Sequence, residues 1–296
     1  MTLEQLRIFV EVARREHVTR AAQALNVTQS AASGAIAALE ARHDVKLFHR
    51  VGRGIELTDA GRMFLEEAQA VLARAASAEQ ALADYGGLKR GTLRLVASQT
   101  IAGYWLPERL AVFHRRYPGI ELSVAIDNTE GAARAVLLGD AELGLIEGAI
   151  DDPALAQWPV AKDRMVMVGP KPVEAVTNDW LAGAPWIMRE GGSGTRSTFE
   201  AAVRDRGLDP AALNIALTLP SNEAVLAAVR AGVGHGVLSA LVVGPSIEAR
   251  ALHALPFHLP ERPFFGIRHK ERYRGKAGDA LLGVIKAYDQ QPDWVI

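Results

Sequence analysis

The chain has 296 residues, 49% of them apolar, a formal net charge of −1 and no cysteine. Length and apolar content allow about two domains with sizeable cores. The missing cysteines exclude disulfides, thiolate nucleophiles and Cys-ligated zinc or iron–sulfur sites. The N-terminal MTLEQLRIF has no basic stretch followed by an apolar run, so no signal peptide is expected. No window approaches the ~18 consecutive apolar residues of a membrane span. These readings lead to the expectation of a soluble cytoplasmic protein without a membrane partner.

Leu3, Leu6, Phe9, Val10 and Ala13 recur at helical spacing and predict a first amphipathic helix. The segment Thr19–Ala41 reads as two short helices around a break at Asn26-Val27, with Thr28 placed to cap the second. On that second helix Gln29, Ser30, Ser33 and Gly34 make a small polar face, and Ala32, Ile36 and Leu39 an apolar one. This is the layout of a helix-turn-helix, although an ordinary helical hairpin has the same pattern. Short strands on either side of Val51-Gly52-Arg53-Gly54 then predict a β-hairpin. Together these elements make a winged helix-turn-helix with Arg50 and Arg53 at the wing. Residues 1–58 hold eight Arg/Lys against six acids, a balance of +2, which leaves −3 for the remainder. A weakly basic head on an acidic body suits DNA contact.

Thr58-Asp59 opens a long helix that runs to about Tyr85 before Gly86-Gly87. Phe64, Ala68, Val71, Ala75, Ala78 and Leu82 recur at alternating four- and three-residue spacing, like a heptad seam. The same helix could lie on its own domain, but an intermolecular seam is the favoured reading. From Thr92 strands and helices alternate: strands at 93–97, 121–126, 143–146, 165–168, 186–188, 216–219, 236–238 and 264–268. Helices fall between them and at 275–288. Parallel βαβ units are therefore expected.

The order of elements and several motifs resemble a LysR-type bacterial transcriptional regulator. The residues that carry the resemblance are Phe9-Val10, Thr19-Arg20-Ala21-Ala22, Leu25, Val27-Thr28-Gln29-Ser30-Ala31, Ile36, Leu39-Glu40, Leu47-Phe48-His49-Arg50 and Leu57-Thr58-Asp59-Ala60-Gly61. In the second half they are Leu106-Pro107, Phe113 and Tyr117-Pro118-Gly119. The resemblance spans essentially the whole chain. It implies an α/β fold class with an N-terminal winged helix-turn-helix (1–58), a linker and dimerisation helix with hinge (59–91) and an effector domain (92–296). That last domain would consist of two Rossmann-like subdomains, periplasmic-binding-protein-like, at 92–161 plus 267–296 and at 162–266. Two positions depart from the family pattern. Gly34 stands where a basic residue is common, and His43-Asp44 where Leu-Gly is usual.

Within that frame Gln29, Ser30 and Ser33 are candidates for base edges, and Arg20, Thr28, Arg50 and Arg53 for the phosphate backbone. Thr28 also has a plain capping role. Candidate dimer-seam residues are Phe64, Ala68, Val71, Ala75 and Leu82. In open α/β sheets ligands sit beyond the carboxyl ends of strands, which nominates Ser98, Thr100, Glu147, Ser193, Thr195 and Asn222 for the effector. The loop Gly191-Gly192-Ser193-Gly194-Thr195-Arg196 suits an anion, but Glu147 opposes one unless a basic residue pairs with it, which leaves a zwitterionic or neutral effector open. That loop lacks the lysine of a P-loop, and Thr195 replaces the last glycine of a nucleophile elbow. Neither enzymatic nor cofactor or metal chemistry is indicated, and His235 between two glycines reads as a packed strand-start residue. The implied partners are double-stranded operator DNA, a small-molecule effector, further copies in a homodimer or homotetramer, and RNA polymerase. The rival readings are a stand-alone solute-binding protein and an α/β enzyme, which a DNA-shift assay separates from a regulator.

Overall fold

The computed structural model describes residues 1–52, 54–85, 88 and 90–289. Contacts divide the chain into two compact units, the first mainly residues 1–82 and the second mainly residues 83–296.

In the first unit α1 (Leu3–Arg15), α2 (Val18–Ala24) and α3 (Gln29–His43) precede a hairpin of β1 (Phe48–Val51) and β2 (Gly54–Leu57), and then α4 (Asp59–Tyr85). Caps set the helix starts. Thr2 forms a capping box with Gln5, His17 Nδ1 accepts from the Arg20 amide, and Thr28 Oγ1 accepts from the Ala31 amide at 3.1 Å. Asn26 takes φ +54 between α2 and α3, a left-handed conformation that asparagine tolerates. One apolar cluster joins Ile8 and Val12 of α1 to Ala21, Ala22, Ala32 and Ile36, so small residues let the three helices approach closely. A second holds Leu6, Phe9, Leu39, Leu47, Leu57 and Ala68, with Phe9 stacked 4.9 Å from Phe64. Gly61 has no substitute here, because a Cβ would lie 2.1 Å from the Leu47 carbonyl oxygen.

That packing corrects the seam. Phe64 and Ala68 face the first unit's own core, where Ala68 is fully buried. Val71 and Leu82 are exposed, at 42% and 76%, and Ala75 is half-buried. The heptad spacing makes one stripe along the sequence, but α4 spends its first turns on the module that precedes it.

The second unit runs β3 (Gly91–Ser98), a π-helical turn (Ile101–Trp105), α5 (Leu106–Arg116), β4 (Ile120–Asp127), α6 (Thr129–Leu138), β5 (Leu143–Glu147), β6 (Leu155–Asp163) and β7 (Met165–Gly169). It continues with α7 (Asn178–Gly183), β8 (Trp186–Arg189), α8 (Gly194–Asp205), β9 (Ile215–Leu219), α9 (Asn222–Arg230), β10 (Gly236–Ser239), α10 (Ala240–Glu248), β11 (His253–Ala254), β12 (Arg262–His269) and α11 (Lys276–Asp289). The five-stranded sheet has the order β4-β3-β5-β12-β6, and two further sheets are β10-β7-β11 and β8-β9. Among the described residues the parallel strand pairs are β3–β4, β3–β5 and β8–β9, with one isolated parallel bridge between Trp186 and His235. β12 runs antiparallel to both β5 and β6, and β10 runs antiparallel to β7, so the expectation of uniformly parallel units fails there.

The subdomain boundaries also move. β6 reaches Asp163 and β12 begins at Arg262, and both pair within the first sheet. Residues 162–163 and 262–266 therefore belong to the first lobe, not the second. A single residue, Arg164, separates β6 of the first sheet from β7 of the second, and the chain returns through residues 255–261. Each lobe has its own apolar core. One is built on Leu93, Leu95, Phe113, Leu145 and Phe264, the other on Met167, Trp186, Phe199 and Val203.

Candidate functional site: a polar cleft between two lobes and an exposed helix face

The carboxyl ends of β3 and β5 bring Ser98, Thr100 and Glu147 to one edge of the first lobe. The starts of α8 and α9 bring Ser193, Thr195 and Asn222 from the second. All six side chains are buried, between 0% and 3% exposed. Uncharged and charged polar groups at such depth require partners, and most have them across the gap. Asn222 Nδ2 donates to Thr100 Oγ1 at 3.0 Å, and Thr195 Oγ1 donates to Glu147 Oε2 at 3.4 Å. Gln99 ties the same edges twice, donating to the Pro220 carbonyl and accepting from the Asn222 amide, both at 3.0 Å. Tyr104 donates to Glu223 at 3.0 Å. Burial first, then the Glu223 carboxylate, pushes this phenol up to about 12.

Sequence reasoning missed the residue at the centre. Arg262, 3% exposed at the start of β12, donates through Nη1 to Glu147 Oε2 at 3.0 Å and to Thr195 Oγ1 at 3.1 Å. Its Nε donates to Asp163 Oδ2 at 2.8 Å, and Ser239 Oγ donates to Asp163 Oδ1 at 2.6 Å. Its Nη2 lies 2.6 Å from the same Oδ2, off the line of a hydrogen bond. One guanidinium thus serves two buried carboxylates from the first lobe and a hydroxyl from the second. An arginine ahead of a proline reads as loop surface, so only the Pro-Phe-Phe run behind it hinted at a strand start.

Arg189, 4% exposed at the end of β8, is a second buried cation. It donates to Asn222 Oδ1 at 2.5 Å and makes a two-point pair with Glu190 at 2.7 and 2.8 Å. Burial works against the ionised form of Glu190, but the bonds from Arg189 and Asn128 outweigh it and hold its pKa below the usual range. Beside this network lies a cavity of about 270 Å³, lined among others by Thr129, Glu130, Gly192, Ser193, Arg196 and Glu200. Gly194 is pressed against Glu147, since a Cβ there would come 2.4 Å from the Glu147 carbonyl oxygen. His235 is away from the cleft: its ring packs 4.8 Å from that of Trp180, and burial lowers its pKa more than its Pro185 hydrogen bond raises it. It is the packed strand-start residue that its glycine neighbours suggested.

In the first unit Arg20, Thr28, Gln29, Ser30, Ser33 and Arg50 are all exposed, and Arg53 lies outside the described residues. The opposite face of α3 is buried through Ala32, Ile36 and Leu39. Thr28 is occupied in two ways, capping α3 and sharing a 3.0 Å hydrogen bond with the Ser30 hydroxyl.

Two protein families match this chain: the bacterial regulatory helix-turn-helix protein of the lysR family over residues 3–62, and the LysR substrate binding domain over residues 86–290. The chain belongs to the LysR family of transcriptional regulators. This LysR-type regulator is 32% identical over 283 residues to the uncharacterized HTH-type transcriptional regulator YeiE of Escherichia coli K12, covering 94% of each chain. It is 30% identical over 303 residues to a probable RuBisCO transcriptional regulator of Trichormus variabilis, covering 99% of this chain and 90% of that one. Among solved structures, full-length CbnR complexed with its target DNA matches with a TM-score of 0.67 at 22% identity, covering 97% and 99% of the two chains. The Synechocystis PCC6803 CcmR regulatory domain in complex with 2-PG matches with a TM-score of 0.60 at 23% identity, covering 68% of this chain and 99% of that one. These two likenesses establish the fold: an N-terminal helix-turn-helix module and an effector-binding domain of two α/β lobes. The relatives are regulators and not enzymes. No helix among the described residues is long and apolar enough to cross a membrane.

Proposed function

We propose that this LysR-type regulator reads operator DNA through α3, with Gln29, Ser30 and Ser33 at base edges and Arg20, Thr28, Arg50 and Arg53 on phosphates. The observation that carries this reading is the split of α3 into a fully buried apolar face and an exposed face of small polar residues. Glutamine can bond adenine at two points, and short hydroxyl side chains let the helix backbone sit deep in the groove. Gly34 leaves that surface without a long basic side chain, so backbone contacts from the wing and from a second copy supply affinity. The second half of α4, with Val71 and Leu82 exposed and Ala75 half-buried, is the proposed surface for that copy. The effector binds between the lobes against Ser98, Thr100, Glu147, Ser193, Thr195 and Asn222, and the protein works in the cytoplasm, where its DNA is.

A mobility-shift titration on the intergenic DNA upstream of the gene tests the reading. Gln29→Ala should weaken specific binding by about 1–3 kcal/mol and relax preference at one base pair. Arg50→Ala should weaken all sequences alike and lower the salt slope by about one unit. Val71→Asp with Leu82→Asp should give a smaller species by light scattering and lose cooperative binding. Wild-type affinity in Gln29→Ala and Arg50→Ala together would overturn the assignment of α3 and the wing.

A further inference from the structure

The charges around the cleft are not balanced, and the imbalance has one sign. Each guanidinium there already has a carboxylate: Arg189 has Glu190, Arg196 and the more exposed Arg204 share Glu200 at 2.7 and 3.3 Å, and Arg262 is shared by Glu147 and Asp163. Four guanidiniums thus face five carboxylates, Glu130, Glu147, Asp163, Glu190 and Glu200, which leaves one negative charge in surplus. Arg262 neutralises only one of its two buried carboxylates, and Glu130, which lines the open cavity, has no ion pair among the described residues. A second, independent observation lies at the same place. Glu147 Oε1 is buried and accepts no hydrogen bond, and Ser98 Oγ on the neighbouring strand is likewise unpartnered. Glu147 sits directly behind two cavity-lining residues, with its carbonyl accepting from Thr129 Oγ1 at 3.1 Å and Gly194 pressed against it. A buried acceptor without a donor is costly, and most costly when charged. The α8 N-terminus, whose Ser193 cap makes no side-chain hydrogen bond, is the natural seat for an anion, but the Glu147 carboxylate already stands beside it.

We infer that the effector presents a protonated amine, which enters between the lobes to donate to Glu147 Oε1, so that this cleft selects amine-bearing small molecules over simple oxyanions. This rests on the cleft being the effector site. An ammonium supplies both missing elements, positive charge and hydrogen-bond donors. An oxyanion supplies no positive charge and meets a surplus of like charge.

Calorimetric titration and thermal-shift assays on the full chain test it, with ammonium, putrescine, lysine and arginine as amine probes and sulfate, phosphate and acetate as oxyanion probes. At least one amine probe should bind and stabilise the wild type, and the oxyanions should not. Glu147→Gln, checked for folding by circular dichroism, should weaken that amine by about tenfold or more, the loss of one charge-assisted hydrogen bond. Should that variant fail to fold, Glu130→Gln, on the cavity wall, should weaken the same probe, the smaller loss of one long-range charge. Binding by oxyanions alone, lost in Thr195→Val, would overturn the amine assignment while leaving the cleft as the effector site. Amine binding unchanged in both glutamate variants and in Thr195→Val would overturn the cleft itself. No shift with any amine probe overturns the inference.

Discussion

Replacing Arg262 by methionine tests the centre of the cleft most directly. The substitution roughly conserves the volume of the stem but leaves Glu147 and Asp163, both at most 4% exposed, without their shared cation. Breaking a buried pair by removing one partner costs about 3–5 kcal/mol, because the surviving charge stays uncompensated. Here two carboxylates are stranded, so the upper part of that range applies. For a unit of this size each kcal/mol lowers Tm by about 2–4 °C, so a loss of about 4–5 kcal/mol gives a fall of about 8–20 °C. Tryptophan fluorescence isolates the effect, since residues 1–82 contain no tryptophan, and Trp105, Trp158, Trp180 and Trp186 lie in the second unit. The matching control is the triple variant Arg262→Met, Glu147→Gln, Asp163→Asn, which removes the charges together. It should recover more than half of the loss, because replacing a whole buried ionic cluster by neutral groups is far less costly than orphaning part of it. A single variant within about 1 kcal/mol of wild type, or a triple variant no better than the single, would refute the account of Arg262 as the keystone of a buried ionic cluster.

Three further outcomes are expected. Gly61→Ala drives a methyl group to 2.1 Å from the Leu47 carbonyl, so α4 must shift, and the first unit should lose about 1–3 kcal/mol in a far-ultraviolet thermal melt. At Glu40, burial raises the pKa but the bonds from Lys46, Leu47 and Phe48 lower it more, to a net value below the ordinary one. A depressed folded pKa means stabilisation present above the ordinary carboxylate value and lost as pH falls through the folded value, so Glu40→Gln should destabilise the module at neutral pH and match wild type in acid. Tyr104 should titrate at about 12 in the phenolate absorbance of the unliganded protein, with the contact to Glu223 contributing stability below pH ~10 that disappears as pH rises through the folded value. An effector that parts the two lobes should bring that titration down.

Much of this was legible in the sequence because local signals agreed. Thr28 caps α3, Thr58 accepts from the Gly61 amide at the start of α4, and the apolar spacing of α1 and α3 matches their buried faces. The six cleft residues were legible because strand ends and helix starts are readable, and the fold gathers what lies there. The omissions have physical causes. β6 carries Pro159 and alternates with polar residues, a pattern that suits only an edge strand, and an edge strand it is. α10 contains Gly244-Pro245, which reads as a turn but is tolerated inside the helix. Arg262 and Asp163 lie 99 positions apart in sequence and meet only because β12 returns to the first sheet, a fact of topology that no local window contains. The division of α4 between its own module's core and an exposed half escaped notice for a similar reason, since one repeating pattern served two different surfaces.

The return of β12 has a mechanical meaning. Among the described residues the chain crosses between lobes at two places, Arg164 and the segment 255–261, and Asp163 and Arg262 are the residues that flank them on the first-lobe side. Their ion pair pins the two crossings to each other, and Ala240 of the second lobe donates its amide to the Arg164 carbonyl at 2.7 Å across the same place. Two pinned crossings define an axis. Arg262 also reaches from that axis into the cleft, to Glu147 Oε2 at 3.0 Å and Thr195 Oγ1 at 3.1 Å. Anything that parts Thr195 from Glu147 therefore pulls on both crossings at once, through one guanidinium.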